Sequence, residues 1–431
     1  MVEALKKPSV LSLWLGKSHP VLFTLVVAGT SFLLYSCVYA FRKAFSAATF
    51  EGLAYLGINY KVWLVTFQVL GYASSKFIGI WLISELGANA RAKGILLMTL
   101  IAWISWLGFA LIPPPYNIIF LFTNGLPLGL IWGMIFAYLE GRQATEALGA
   151  GLSVSFIFAS GFSRSVGAWL MQNWHVSEFW MPFVASCLFF IPLMAFLWVL
   201  NQTPPPSAQD ELLRTKRKPM NKAERQAFIR SFLPGIVFFV LAYMLLTSFR
   251  DFRDNFSAEI WTALGYGHSP EIFTYTEIPI SIAVLIIMAS MALIKNNKVA
   301  LLANHVIIIS GMVIIGTSTF LFQQGNINAP AWMTFVGLGL YMGYVPFNSI
   351  FFDRLLATFH YVGTVGFIMY VADAFGYLGS VGVMFFKEFG YARVSWLNFF
   401  VTGGYATAAI GSCLTAGSLL YFIRKSRRLA I

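Results

Sequence analysis

The chain has 431 residues, of which 58 % are hydrophobic and only 11 % charged. A water-soluble domain carries about a quarter of its residues as charges, so this composition excludes one and makes lipid the solvent. The formal net charge of +12 then belongs to loops facing anionic headgroups and needs no nucleic-acid partner, while Cys37, Cys187 and Cys413 lie in apolar runs without CxxC or Cys/His spacing, which leaves no disulfide framework and no metal site to expect.

Taken in chain order, the first twenty residues scatter Lys6, Lys7 and Lys17 among apolar residues and lead into a long span without a small-residue cleavage site, so no cleavable leader is expected. Long apolar runs broken by charge, Pro and Gly clusters predict spans over 22–50, 60–83, 94–112, 117–139, 147–171 and 180–200. The polar stretch 201–231 opens with three prolines and turns basic, and a second set of spans follows over 232–260, 272–294, 299–322, 331–353, 361–386 and 398–423. The expectation is an all-α membrane protein of twelve transmembrane helices, each long enough for about 30 Å of hydrocarbon. Residues 1–200 would form one six-helix bundle, 201–231 a cytoplasmic linker and 232–431 a second bundle.

Cytoplasmic connections retain Lys and Arg. One side receives Lys6, Lys7, Lys17, Arg91, Lys93, Arg142, Lys295, Lys298, Arg354, the basic linker and the basic C-terminus. The other receives Lys61, Lys387 and Arg393, which places both termini and the linker in the cytoplasm. The two sets of spans also repeat. Cys37 to Leu53, CVYAFRKAFSAATFEGL, and Leu245 to Trp261, LLTSFRDFRDNFSAEIW, each put a Phe-Arg pair late in a long apolar helix. Gly129 to Gly149 and Gly339 to Gly363 each begin GLxxG and end on an acid and an Arg: Glu140 and Arg142 in one, Asp353 and Arg354 in the other. A parallel repeat of six helices is a transporter architecture. The four charges at its inner ends suit a cytoplasmic gate between bundles.

Charges inside apolar runs carry the chemistry, because an ionisable group at mid-membrane costs a few kcal/mol unless it faces water or a partner. Arg42, Lys76, Arg164 and Arg250 are such cations; Asp373 and Glu277 are the clearest acids, with Asp254 near the outer end of the seventh span. More cations than acids point to an anionic ligand, and Arg suits phosphate or carboxylate because its planar fork gives two charge-assisted bonds. Tyr39, Tyr72, Asn348 and Tyr370 are secondary candidates for ligand hydrogen bonds, with core packing the alternative for each. Other readings stay open: Arg42 and Lys43 reach outer headgroups if the first helix stops near residue 41. Lys76 pairs structurally with Asp373 or Glu277, or Arg164 binds backbone carbonyls. Asp373 is either a proton carrier or a structural partner of one of these cations.

The stretch YAFRKAFSAATF, followed by the Lys of GYASSKFIG, resembles the organophosphate:phosphate antiporters of the major facilitator superfamily, the sugar-phosphate and glycerol-3-phosphate permeases of bacteria. The resemblance implies a phosphate gripped by Arg42 and Arg250, with Lys76 as a third charge. In RDFRDNFS, Arg250 to Ser257, Asn255 stands where the family has an acid and Asp254 is one place early, which makes Lys43 and Asp254 a charge pair to expect. In SRSVG, Arg164 stands at the position of a family His. The implied function is secondary transport of a small organic anion, by phosphate antiport or proton coupling, in a monomer of the bacterial inner membrane. No enzymatic chemistry, cofactor or nucleotide loop of the GxxxxGK[ST] type is expected. A transporter-fold receptor for such an anion, or a lysophospholipid-type transporter, is the alternative.

Overall fold

The structure, a computed structural model, describes residues 9–85, 88–139, 142, 145–205, 222–349, 351–359 and 366–428. Its helices are α1 (Val10–Lys17), α2 (Pro20–Lys43), α3 (Tyr60–Glu85), α4 (Ala88–Leu111), α5 (Ile119–Leu139), α6 (Thr145–Asn173) and α7 (Met181–Leu200). After the linker come α8 (Lys222–Asn255), α9 (Ser257–Ala263), α10 (Ile272–Ala292), α11 (Asn297–Gln323), α12 (Ala329–Ser349), α13 (Phe351–Thr358), α14 (Gly366–Gly390) and α15 (Trp396–Arg428). Among the described residues, twelve of these have 20 residues or more. They fall where the apolar runs predict spans.

Among the described residues, eight spans are long and apolar enough to cross a membrane by length and composition alone. The long helices outside that set are α3, α6, α12 and α14. Three of these carry polar groups: α3 has Lys61 and Lys76, α6 has Arg164 and a series of serines, and α14 has Asp373.

Three local differences from the sequence reading bear on the site. The first span does not run helical to residue 50; α2 ends at Lys43, a 3-10 turn covers Ala44–Ala47, and Phe50 adopts φ 51°. The seventh span does not reach 260 as one helix, because Phe256 leaves helical geometry between α8 and α9 (φ −108°, ψ 19°). In addition, α8 already begins at Lys222, so the end of the stretch read as linker is helical. Among the described residues the one sheet is a two-stranded hairpin, β1 (Ala54–Tyr55) with β2 (Ile58–Asn59), whose turn residues Leu56 and Gly57 both have positive φ.

The packing repeats as the sequence does. In the first half α2 lies on α6 and α7, and α5 on α3 and α4; in the second half α8 lies on α14 and α15, and α12 on α10 and α11. Glycine permits the tightest crossing: a Cβ at Gly71 of α3 would sit 2.3 Å from the Phe122 carbonyl of α5, and one at Gly125 equally close to the Gln68 carbonyl. The halves meet along two seams, α6 against α10 and α3 against α14.

Candidate functional site

Arg42 lies one residue before the end of α2 and is half-buried. Its guanidinium stacks 3.9 Å from the ring centre of Tyr72 and 5.8 Å from that of Tyr39, and its Nε is buried without a hydrogen-bond partner. Among the described residues no carboxylate lies within ion-pair distance of it. The ammonium of Lys76 is 5.0 Å from the same Tyr72 ring, so positive charge from α2 and α3 converges on one phenol. Tyr72 in turn meets Tyr377 of α14 edge-on across the halves, at 5.7 Å.

The second half supplies a similar pairing. Arg250 of α8 stacks 3.7 Å from the ring of Tyr344 on α12 and bonds Asp251 at 2.7 Å. Asp251 also accepts from Ser380, and Asp373 accepts from the Tyr243 hydroxyl at 2.6 Å. Arginine faces on tyrosine rings leave the edges of the guanidinium, where the N–H donors are, free of the ring.

Arg164 is occupied differently. Its Nε donates to the Ser160 carbonyl, Nη1 to the Asp254 carbonyl and the Ser257 hydroxyl, and Nη2 to Ser160 Oγ and Glu277 Oε1. All five donors have partners and the side chain is 1 % exposed, so in this conformation Arg164 offers nothing to a ligand. It is a tether from α6 to α8, α9 and α10.

Lys43 does not pair with Asp254. Its Nζ donates to Asn255 Oδ1 at 2.6 Å, because Asp254 is held by Arg164, Arg253, Ser160 and Tyr341. Glu277 does not hold Lys76; its Oε1 binds Arg253 Nη1 at 2.7 Å and Arg164 Nη2 at 3.5 Å.

Among the described residues three buried cations are not foreseen by the sequence analysis: Arg253, Lys61 and Lys387, the last 5 % exposed and 3.6 Å from Glu388. Arg253, which the sequence analysis does not single out, is 2 % exposed and bonds Glu277, Asp254 and the Met333 carbonyl. Lys61 was counted as an outer loop charge; it opens α3, is fully buried, and binds both oxygens of Glu259 on α9 at 2.8 Å. Its alternating surroundings of Tyr60, Val62 and Trp63 were the available signal, since a loop seldom interleaves Lys with such residues.

The remaining candidates are spread. Arg142 donates to the carbonyls of Tyr138 in the first half and Pro204 at the start of the linker, and Arg354 to Asn297 in the second half. Glu140 and the side chains of Asp353, Asn348 and Tyr370 lie outside the described residues. Among the described residues, hydrogen bonds that cross between halves gather at the ends remote from the basic loops: Lys43 to Asn255, Lys61 to Glu259, Thr274 to Ser165, Gln172 to the Gly267 carbonyl, and the Asn59 amide to Glu388. We call this the outer side. A cleft of about 470 Å³ opens there, lined by Ser165, Trp169, Gln172, His268 and Glu271 among others.

The fold has solved relatives. The D-xylose-proton symporter matches with a TM-score of 0.59 at 17 % identity, over 94 % of this chain and 97 % of that one. The nucleoside transporter NupG matches with a TM-score of 0.59 at 14 % identity, over 93 % and 99 %. A bacterial homologue of the human lysosomal transporter Spinster, in an inward-facing and unoccupied conformation, matches with a TM-score of 0.60 at 13 % identity, over 94 % and 98 %. These similarities show the twelve-helix major facilitator fold. No curated protein matches the sequence. The model of a family of unknown function, DUF5690, matches residues 44–425, and the chain belongs to that family.

Proposed function

We propose that the chain is a secondary transporter that moves a small organic anion, a phosphorylated metabolite, by alternating access of its two halves. The observation that carries this reading is Arg42. A guanidinium enclosed by the helices, stacked on Tyr72 and without a carboxylate partner among the described residues, has an unpartnered Nε to present. An uncompensated cation in a low-dielectric site is costly, and a bound anion removes that cost. The similar folds belong to proteins whose names specify xylose, nucleosides and other cargoes, so it is the charge, and not the fold, that supports an anion here.

Arg250 approaches from the other half with its own Asp251 alongside. A phosphate held between Arg42 and Arg250 would take up both forks and tie the halves together, and its release would let them rock. Antiport against inorganic phosphate and cotransport with a proton are both compatible with this site.

The test is uptake of a radiolabelled sugar phosphate into phosphate-loaded proteoliposomes, with binding followed in parallel. Each charge-assisted bond contributes about 1.5–3 kcal/mol, so Arg42→Ala, which removes two, lowers affinity at least about 100-fold. Arg42→Lys keeps the charge but loses the fork, and lowers affinity about tenfold or more. Unchanged binding by Arg42→Ala refutes the anion site. Binding without exchange in the parent protein identifies a receptor instead.

A further inference from the structure

Among the buried carboxylates of the described residues, Glu277 has an oxygen, Oε2, with no hydrogen-bond partner. Its other oxygen is shared between the halves: Arg253 of α8 lies 2.7 Å away in its own half, and Arg164 of α6 lies 3.5 Å away in the other. The neighbouring acid Asp254 differs, since both its oxygens are used, Oδ1 by Arg253 and Arg164 and Oδ2 by Ser160 and Tyr341. The α6 backbone is pressed against Glu277, because a Cβ at Gly161 would sit 2.6 Å from its Cγ. The stem of Glu277 is thus held where α6 and α10 pack most closely.

We propose that Glu277 binds the coupling proton at Oε2, and that its protonation loosens the hold of Arg164 across the seam and favours separation of the outer ends of the halves. This assignment names the coupling ion for the transport reading and rests on it for its purpose, although its test uses no substrate. The charged and titratable groups facing Glu277 are Arg164 from α6, Arg253 and Asp254 from α8, and, through Asp254, Tyr341 from α12.

The step is a simple proton transfer: water yields H⁺ to Oε2, an O–H bond forms, and the carboxylate becomes a neutral carboxyl. A neutral carboxyl no longer draws two guanidiniums. Arg253 keeps Asp254 and the Met333 carbonyl in its own half, whereas Arg164 keeps across the seam only the Asp254 carbonyl, the Ser257 hydroxyl and the Asp254 carboxylate at 3.8 Å, so the tether between the halves is the one that weakens. Protonation and separation then favour one another by linkage. Water has a short way in, since the outer cleft is lined by Ser165, the neighbour of Arg164, and by Glu271, six residues before Glu277 on the same stretch of chain.

The experiment places spin labels on Asn173→Cys and His268→Cys, on opposite sides of the cleft, in nanodiscs, with Cys37, Cys187 and Cys413 replaced by Ser. Between about pH 8 and about pH 5 the separated population rises, by up to tenfold per pH unit for one proton. Glu277→Gln shows the longer distance at both ends of that range, and Asp254→Asn keeps the response. A parent distance that ignores pH, or a Glu277→Gln protein that still responds to it, overturns the proposal. Should Glu277→Gln fail to fold, proton counting decides. A protein locked by a Gln172→Cys/Gly267→Cys disulfide takes up one proton fewer over the same range than its reduced form, and equal uptake overturns the assignment. A chain that opens with pH but exchanges no anion refutes the transport reading alone; one that exchanges anion without this response refutes the role of Glu277 alone.

Discussion

Lys61 and Glu259 set the scale of what single residues do here. Their side chains are 0 % and 12 % exposed, and they join the first half to the second through two bonds of 2.8 Å. Removing one member leaves the other charged and enclosed, which costs about 3–5 kcal/mol, whereas replacing both by apolar residues is close to neutral. Lys61→Met or Glu259→Leu alone is therefore expected to lower the melting temperature markedly, and the double replacement to recover most of it, as followed by thermal unfolding in detergent. At this scale the sequence was legible where a charge interrupts an apolar run. Arg42, Lys76, Arg164, Arg250 and Glu277 stood out for that reason. Lys61 and Arg253 did not, since a charge close to a helix end looks the same whether it faces water or a neighbouring helix. Pairing was less legible still: the carboxylate of Asp254 is claimed by two arginines, and only the three-dimensional arrangement reveals that Lys43 turns to Asn255.

Among the elements, α6 is the most constrained. It faces α2 within its own half and α10 across the seam, and at Gly161 it comes so close to α10 that a Cβ would lie 2.4 Å from the Phe273 carbonyl. Gly161→Val is expected to push α6 off α10 and open the outer seam. The check is labelling of a Ser165→Cys reporter by a membrane-impermeant maleimide, which is expected to be at least about tenfold faster in the Gly161→Val protein than in the parent, a shift of about 1.4 kcal/mol in the closed state. Helix positions were readable from apolar run length, which lipid enforces because every backbone polar group must be satisfied within the helix. Breaks were less so: the change of direction at Phe256 and the 3-10 turn after Lys43 serve contacts between halves, and such contacts leave no periodic trace in the chain.

For the whole molecule, the repeat visible in the Phe-Arg and GLxxG segments reappears as matched packing of the two halves, so the architecture was largely legible. The way the halves are joined was not, because it depends on which charges meet across them. On the transport reading, a Gln172→Cys/Gly267→Cys disulfide, at a point where the two halves already bond at 3.1 Å, is expected to lower exchange in proteoliposomes at least about 100-fold, the population shift of a lock worth about 2.7 kcal/mol or more. A reducing agent is expected to restore it, and anion binding from the inner side to survive throughout. Persistent exchange by the locked protein would show that the outer ends need not part.

The two seams differ in kind. Along α6 and α10 the outer contacts are Arg164, Glu277, Ser165 and Thr274, whereas along α3 and α14 they are mostly rings, Trp63 on Phe385 at 5.6 Å and Tyr72 on Tyr377 at 5.7 Å. Directional polar bonds fail over a fraction of an ångström, while ring contacts tolerate sliding. Relative motion of the halves would thus pivot about the aromatic edge and part at the ionic one, like a door whose hinge lies opposite its bolt, and substitutions on the two edges should differ in effect: those at the rings altering how fast the swing occurs, those at the charges altering how often it begins.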